Sequence, residues 1–183
     1  MNSLWEARRR LDRRKALSIG AALLTSPFAF GQVQPTNGSP PVKEPWIDAH
    51  SHLWTREIDR FPLRDGVTVD QLSPPSFTDD DLMAVAQPAG VGRVVLIQHY
   101  PYHGWDLSYL LDACRRHPER FRMVGMIDDR LPEPGKRMRE LLRRGVTGFR
   151  IGSGSGRPDW LASDGMHVMW QTAAETRQPM CCL

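Results

Sequence analysis

Cysteine is scarce in this 183-residue chain: Cys114, Cys181 and Cys182 are the whole set. Cys181 and Cys182 are adjacent, so on a strand they would face opposite ways, and their spacing suggests no disulfide framework. All three read as small buried apolar groups without thiol chemistry. Apolar length is also short. The stretch from Ala16 to Phe30 has 15 residues, below the roughly 20 that a membrane span requires. A surplus of one charge disappears once the chain is divided. The formal net charge is +3, yet residues 1–31 hold six Arg or Lys against two acids, leaving 18 positive and 19 negative residues after them. Without a basic excess in the globular part, nucleic-acid binding loses its main electrostatic support.

What is present starts with a leader. A charged region containing Arg13-Arg14 precedes the apolar stretch, and Ala29-Phe30-Gly31 places small residues where a signal peptidase cuts. Residues 1–31 therefore read as an export signal, removed on maturation. Asp12-Arg13-Arg14-Lys15-Ala16-Leu17 resembles a twin-arginine signal, which carries folded proteins across the bacterial inner membrane. The expected location is periplasmic or exported, with no stable membrane span after signal removal. Residues 32–45 are rich in Pro, Gly, Ser and Asn and read as a flexible linker. The globular part is expected over residues 46–183.

That part alternates strand and helix patterns. Trp46 to His52 reads as a strand, followed by a long aperiodic connection, Leu53 to Phe77. Thr78 is a good helix cap, three acids follow it, and Leu82, Val85 and Ala86 form an apolar stripe. Val91–Gln98 is a nearly continuous apolar run, as expected of a strand buried on both faces. His99–Gly104 reads as a turn, Trp105–His117 as a helix, Phe121–Ile127 as a strand, and Pro134–Gly145 as a helix. Val146–Ile151 is a fourth strand, Ser163–Arg177 a helix, and Pro179–Leu183 a fifth strand. Strands separated by helices, with no hairpin, predict a parallel α/β sheet. A doubly wound sheet and a TIM barrel fit this pattern equally.

The most specific stretch is Trp46-Ile47-Asp48-Ala49-His50-Ser51-His52. Alternation puts His50 and His52 on one face of a strand, where two neutral imidazoles make half of a metal site. Asp48 shares their parity and is placed to orient a ligand or the ion. The plainer alternative is a strand end with two solvent-facing polar side chains.

An apolar strand running into His-x-His resembles the first strand of the amidohydrolase superfamily, and the later segments resemble its amidohydrolase-related, lactonase-like branch of TIM-barrel hydrolases. The resemblance runs from about Trp46 to the last residue. It favours the barrel, here a partial (β/α)8 barrel with about five strands of eight. It implies a divalent metal at His50 and His52, zinc being the expected ion, or a metal-free variant in which the histidines polarise the substrate directly. It also implies further His ligands and a catalytic Asp on later strands, beyond residue 183. The chain thus reads as the amino-terminal part of a longer protein or as a truncated gene.

Sites of such barrels gather at the carboxyl ends of the strands. Those ends carry His50 and His52 as expected metal ligands, then Gln98, His99, Asp128 and Arg150 as expected substrate contacts. Arg150 lies inside an apolar strand, so it should meet a carboxylate, from an anionic substrate or from Asp128 on the neighbouring strand. The loop Gly152-Ser153-Gly154-Ser155-Gly156 lacks the Gly-Lys-Ser/Thr ending of a phosphate-binding loop and reads as a flexible active-site loop. His117 and His167 read as structural, and Trp54, Arg56, Arg60 and Arg64 as loop residues near the barrel mouth. The function expected is an exported, metal-dependent hydrolase of a lactone or amide bond in a small molecule. The alternative is a non-catalytic truncated remnant of such an enzyme.

Overall fold

The computed structural model describes residues 45–152 and 158–182. The export signal at 1–31, the linker apart from its last residue, and most of the glycine-rich loop after Ile151 lie outside the described residues. The chain order is β1 (Trp46–Ser51), α1 (Asp79–Ala86), β2 (Val91–Ile97), α2 (Tyr100–His103), α3 (Ser108–Arg116), β3 (Phe121–Gly125), α4 (Pro134–Arg143), β4 (Val146–Ile151), α5 (Asp164–Thr176) and β5 (Met180–Cys182). The five strands form one parallel sheet in the order β1-β2-β3-β4-β5. With a helix after each of the first four strands, the sheet curls into a half-barrel.

The apolar run of β2 is buried as expected: Val94, Leu96 and Ile97 are almost fully covered. Phe121 and Met123 of β3 and Phe149 of β4 join Met138, Leu141 and Met169 of the helices in one core. Edge strand β1 departs from this pattern. Trp46 and Ile47 are 64% and 55% exposed, because β1 pairs with β2 alone among the described residues.

Local chemistry sets the element boundaries. Thr78 caps α1 by accepting the Asp81 N–H at 3.2 Å, while the Asp81 carboxylate accepts the Thr78 N–H at 2.9 Å. The buried side of α1 is Asp79, Leu82 and Ala86; Val85, expected in the stripe, is 63% exposed. The turn expected after β2 is a single helical turn, α2. It ends at Gly104, whose φ of +55° and contact with Arg64 leave no room for a side chain. At Gly165, a Cβ would overlap the Asp129 carbonyl oxygen, so α5 approaches the chain after β3 as closely as backbone permits. Cys114 is partly buried, but Cys181 and Cys182 are exposed on edge strand β5, which overturns their reading as buried groups. No helix among the described residues is long and apolar enough to cross a membrane.

Candidate active site at the carboxyl ends of the strands

β1 leads into the His-x-His pair; the His50 main chain is held by the Asp48 side chain and the His52 ring by a backbone carbonyl. The Asp48 carboxylate accepts the Ser51 hydroxyl at 2.5 Å and the His50 N–H at 2.9 Å. Those two bonds hold its pKa below the usual carboxylate range. Asp48 thereby braces the chain between the two histidines. The His52 Nδ1–H donates to the Ile97 carbonyl at the end of β2, at 2.8 Å. A carbonyl can only accept, so this bond fixes the tautomer and leaves Nε2 with its lone pair. Burial lowers the His52 pKa, the Ile97 bond opposes it, and the neighbouring His50 and Arg150 charges add to the lowering.

The two Nε2 atoms face each other at 3.2 Å. Two imidazole nitrogens on one ion at about 2.0–2.1 Å stand roughly 2.8–3.4 Å apart at octahedral or tetrahedral angles. The spacing, the tautomer and the depressed basicity of His52 therefore fit a divalent metal. The same spacing also suits an Nε2–H···Nε2 bond in which His50 donates. Among the described residues, no third His, Cys, Asp or Glu joins the pair within ligating distance.

Asp79, Asp80 and His117 do form a three-donor cluster, but away from the histidine pair, beside Phe121 at the start of β3. Both Asp79 oxygens are already taken by the Arg116 guanidinium, at 2.5 and 2.9 Å, and the His117 Nε2 lies at 3.3 Å. This is an ion-pair centre that ties α1 to the end of α3.

An aromatic wall stands against His52. The His99 ring packs on it at 4.8 Å between centroids; Trp54 stacks on His99 at 5.2 Å and 27°, and Tyr102 meets it edge-on at 4.6 Å. Burial, then the nearby His52, His103 and Arg150, push the His99 pKa down to about 4, so the ring is neutral. The long connection after β1 is anchored to this wall. Trp54 and Phe77 exchange two backbone hydrogen bonds of 3.0 Å across its base. The Trp54 indole donates to Pro74 O at 2.8 Å, and the Ser73 N–H donates to the Tyr102 hydroxyl at 3.1 Å. Farther along, the His103 Nδ1–H donates to Pro62 O and the Arg64 guanidinium to Pro101 O. Arg60 pairs with Glu57, and Arg56 is exposed. In the sequence His99–Gly104 reads as a turn, and nothing there ties that run to Trp54 and Phe77.

The other strand-end residues diverge. Gln98 is buried, and its amide nitrogen donates to the Gly104 and Asp106 carbonyls, holding the turn after β2. Asp128 pairs with Arg130 at 2.7 Å. Arg150 comes close enough to His52 and His99 to lower both. Its Nε is buried without a hydrogen-bond partner, and burial lowers its own pKa. No carboxylate among the described residues forms an ion pair with it.

No family model matches the sequence, and no curated protein matches it. Solved structures do. A putative 2-pyrone-4,6-dicarboxylic acid hydrolase from Pseudomonas putida aligns at 23% identity with a TM-score of 0.60, covering 76% of this chain and 48% of its own. A probable 2-pyrone-4,6-dicarboxylic acid hydrolase from Acinetobacter baumannii, solved with citric acid bound, aligns at 14% identity and TM-score 0.60, covering 74% and 48%. A 5-carboxyvanillate decarboxylase from Novosphingobium aromaticivorans, complexed with manganese and a nitrobenzoic acid, aligns at 21% and 0.52, covering 73% and 48%. The chain spans about half the length of these structures. At such identities the likeness is one of fold alone: the half-barrel matches about half of the fold of these structures.

Proposed function

We propose that His50, His52 and Arg150 belong to the active site of a divalent-metal-dependent hydrolase that cleaves a lactone or amide bond in a small carboxylate-bearing molecule, and that it works after export. The observation that carries this reading is the pair of Nε2 atoms at 3.2 Å, with the His52 tautomer fixed by Ile97. Zinc is the expected ion, although manganese accompanies one structural neighbour. A bound divalent ion polarises a carbonyl and lowers the pKa of a coordinated water.

The chain's own residues do the rest. His50 and His52 present two adjacent ring nitrogens. Arg150 offers a partly desolvated guanidinium whose Nε has no acceptor among the described residues, and a substrate carboxylate would supply one. Asp128, already paired with Arg130, is not needed for that role. The His99 ring covers one side of His52, and Trp54 and Tyr102 pack on His99 behind it.

The two-donor set among the described residues favours a second reading, a non-catalytic remnant. Hydrolysis of a panel of carboxylated lactones and amides, followed by pH-stat, separates the two. Turnover that falls at least about 100-fold in His50→Ala and in His52→Ala, as loss of direct metal donors should cause, supports the enzyme. Absence of turnover together with absence of stoichiometric zinc supports the remnant.

A further inference from the structure

Sequence reasoning places His99 among the substrate contacts; the geometry gives it different work. We infer that His99 is a positioning residue, a ring wedged between Trp54 and His52 that fixes how His52 presents its Nε2. The inferred benefit to metal binding rests on the reading of His50 and His52 as metal donors.

His52 is held at its two ring nitrogens, by the 2.8 Å bond from its Nδ1–H to Ile97 O and by the 3.2 Å contact of its Nε2 with that of His50. Contacts at two edge atoms leave the imidazole free to tilt about the line between them. A contact on the ring face removes that freedom, and His99 supplies it at 4.8 Å and 50°. His99 is itself held in a box. Trp54 stacks on it, Tyr102 packs edge-on, and each of these two rings is tied to the 73–77 segment by its own hydrogen bond or backbone pairing. The result is a row of rings, Trp54 to His99 to His52 to His50, braced at its far end by backbone.

His99 does this work by shape. Its Nδ1 is buried with no hydrogen-bond partner, so that nitrogen does not hold the ring in place. Nor does His99 join His50 and His52 as a third donor within ligating distance. Groups that orient a metal ligand without touching the ion typically change metal affinity by about 10- to 100-fold when removed.

The test compares the full chain with His99→Ala and His99→Phe, each first checked for native circular dichroism and a cooperative melt. Two readouts are taken: Co2+ affinity by calorimetry, with the visible spectrum of the bound ion, and the His52 tautomer by 15N–1H correlation of the imidazoles. The expected result is a single Nδ1–H tautomer of His52 in wild type and in His99→Phe, with Co2+ affinities within about 3-fold of each other. His99→Ala should bind Co2+ about 10- to 100-fold more weakly and show His52 in tautomer exchange. Wild-type behaviour of His99→Ala in both readouts overturns the inference. So does a His99→Phe variant as impaired as His99→Ala, because the nitrogen would then matter. If wild type binds no Co2+, the metal reading fails on its own, and the His52 tautomer in His99→Ala still decides whether His99 positions that ring.

Discussion

His50 and His52 stand Nε2 to Nε2 at 3.2 Å, and only His52 has its second nitrogen bonded to a strand carbonyl. A cation that binds between them stabilises the folded chain by mass action. At a concentration of 100 times its Kd, the gain is about 2.7 kcal/mol. Thermal unfolding of the wild type should rise accordingly with zinc or manganese, and that of His50→Ala/His52→Ala should not. A melt unmoved by either ion would mean that the pair is only hydrogen-bonded.

The Asp79–Arg116 pair carries a stability prediction. Burial raises the Asp79 pKa, but the Arg116 bonds and charge outweigh it and hold the carboxyl below its ordinary value of 3.8. A depressed carboxyl contributes stability that is complete above the unfolded value and lost as pH falls through the folded one. Wild type should therefore lose its advantage over Asp79→Asn as pH drops below about 4. At pH 7, Asp79→Ala should cost about 2 kcal/mol in urea unfolding, less than a fully buried pair because Arg116 is partly exposed. Parallel pH curves for wild type and Asp79→Asn would refute the assignment.

Thiol accessibility should divide the cysteines two to one. Cys181 and Cys182 are exposed, whereas burial pushes the Cys114 thiol up to about 11. A chromogenic disulfide reagent should titrate two thiols in native protein at pH 8 and the third only in denaturant. Three rapid equivalents under native conditions would place Cys114 at the surface.

The proposed export signal makes a separate prediction, carried by the sequence alone. Replacing both arginines of the pair, Arg13→Lys with Arg14→Lys, should abolish export of the folded protein, read by fractionation of bacterial cells. Unchanged periplasmic recovery would exclude the twin-arginine route.

Most of the fold was legible because its signals are local. The alternation of apolar runs with capped helices located every strand, and the bounds of β4, Val146–Ile151, are those read from the sequence. The helix after α2 begins at Ser108 rather than Trp105, because the Asp106 carboxylate accepts the Ser108 N–H at 2.9 Å and sets the first turn there. Val85 and the two late cysteines were misjudged for one reason. Hydrophobicity says which residues can be buried, but only the neighbours of α1 and β5 decide which are. The pairing of His50 with His52 was legible from strand parity. The environment of Arg150 was not, since among the described residues no carboxylate pairs with it, and Asp128 pairs with Arg130. The Trp54–His99 contact joins residues 45 positions apart and has no periodic signature.

The closure at the base of the 53–77 loop bears on how such a site can change over time. Trp54 and Phe77 pin the two ends of the loop, and contacts to Tyr102 and Pro101 pin its side. Its tip at Gly66 has open space around it and a φ of +80°. Insertions there lengthen the chain without displacing the Trp54 ring or, behind it, His99 and His52. Loop variation and the geometry of the histidine pair are in this sense separately heritable, so a lineage or a designer can rework the tip while the histidines keep their spacing.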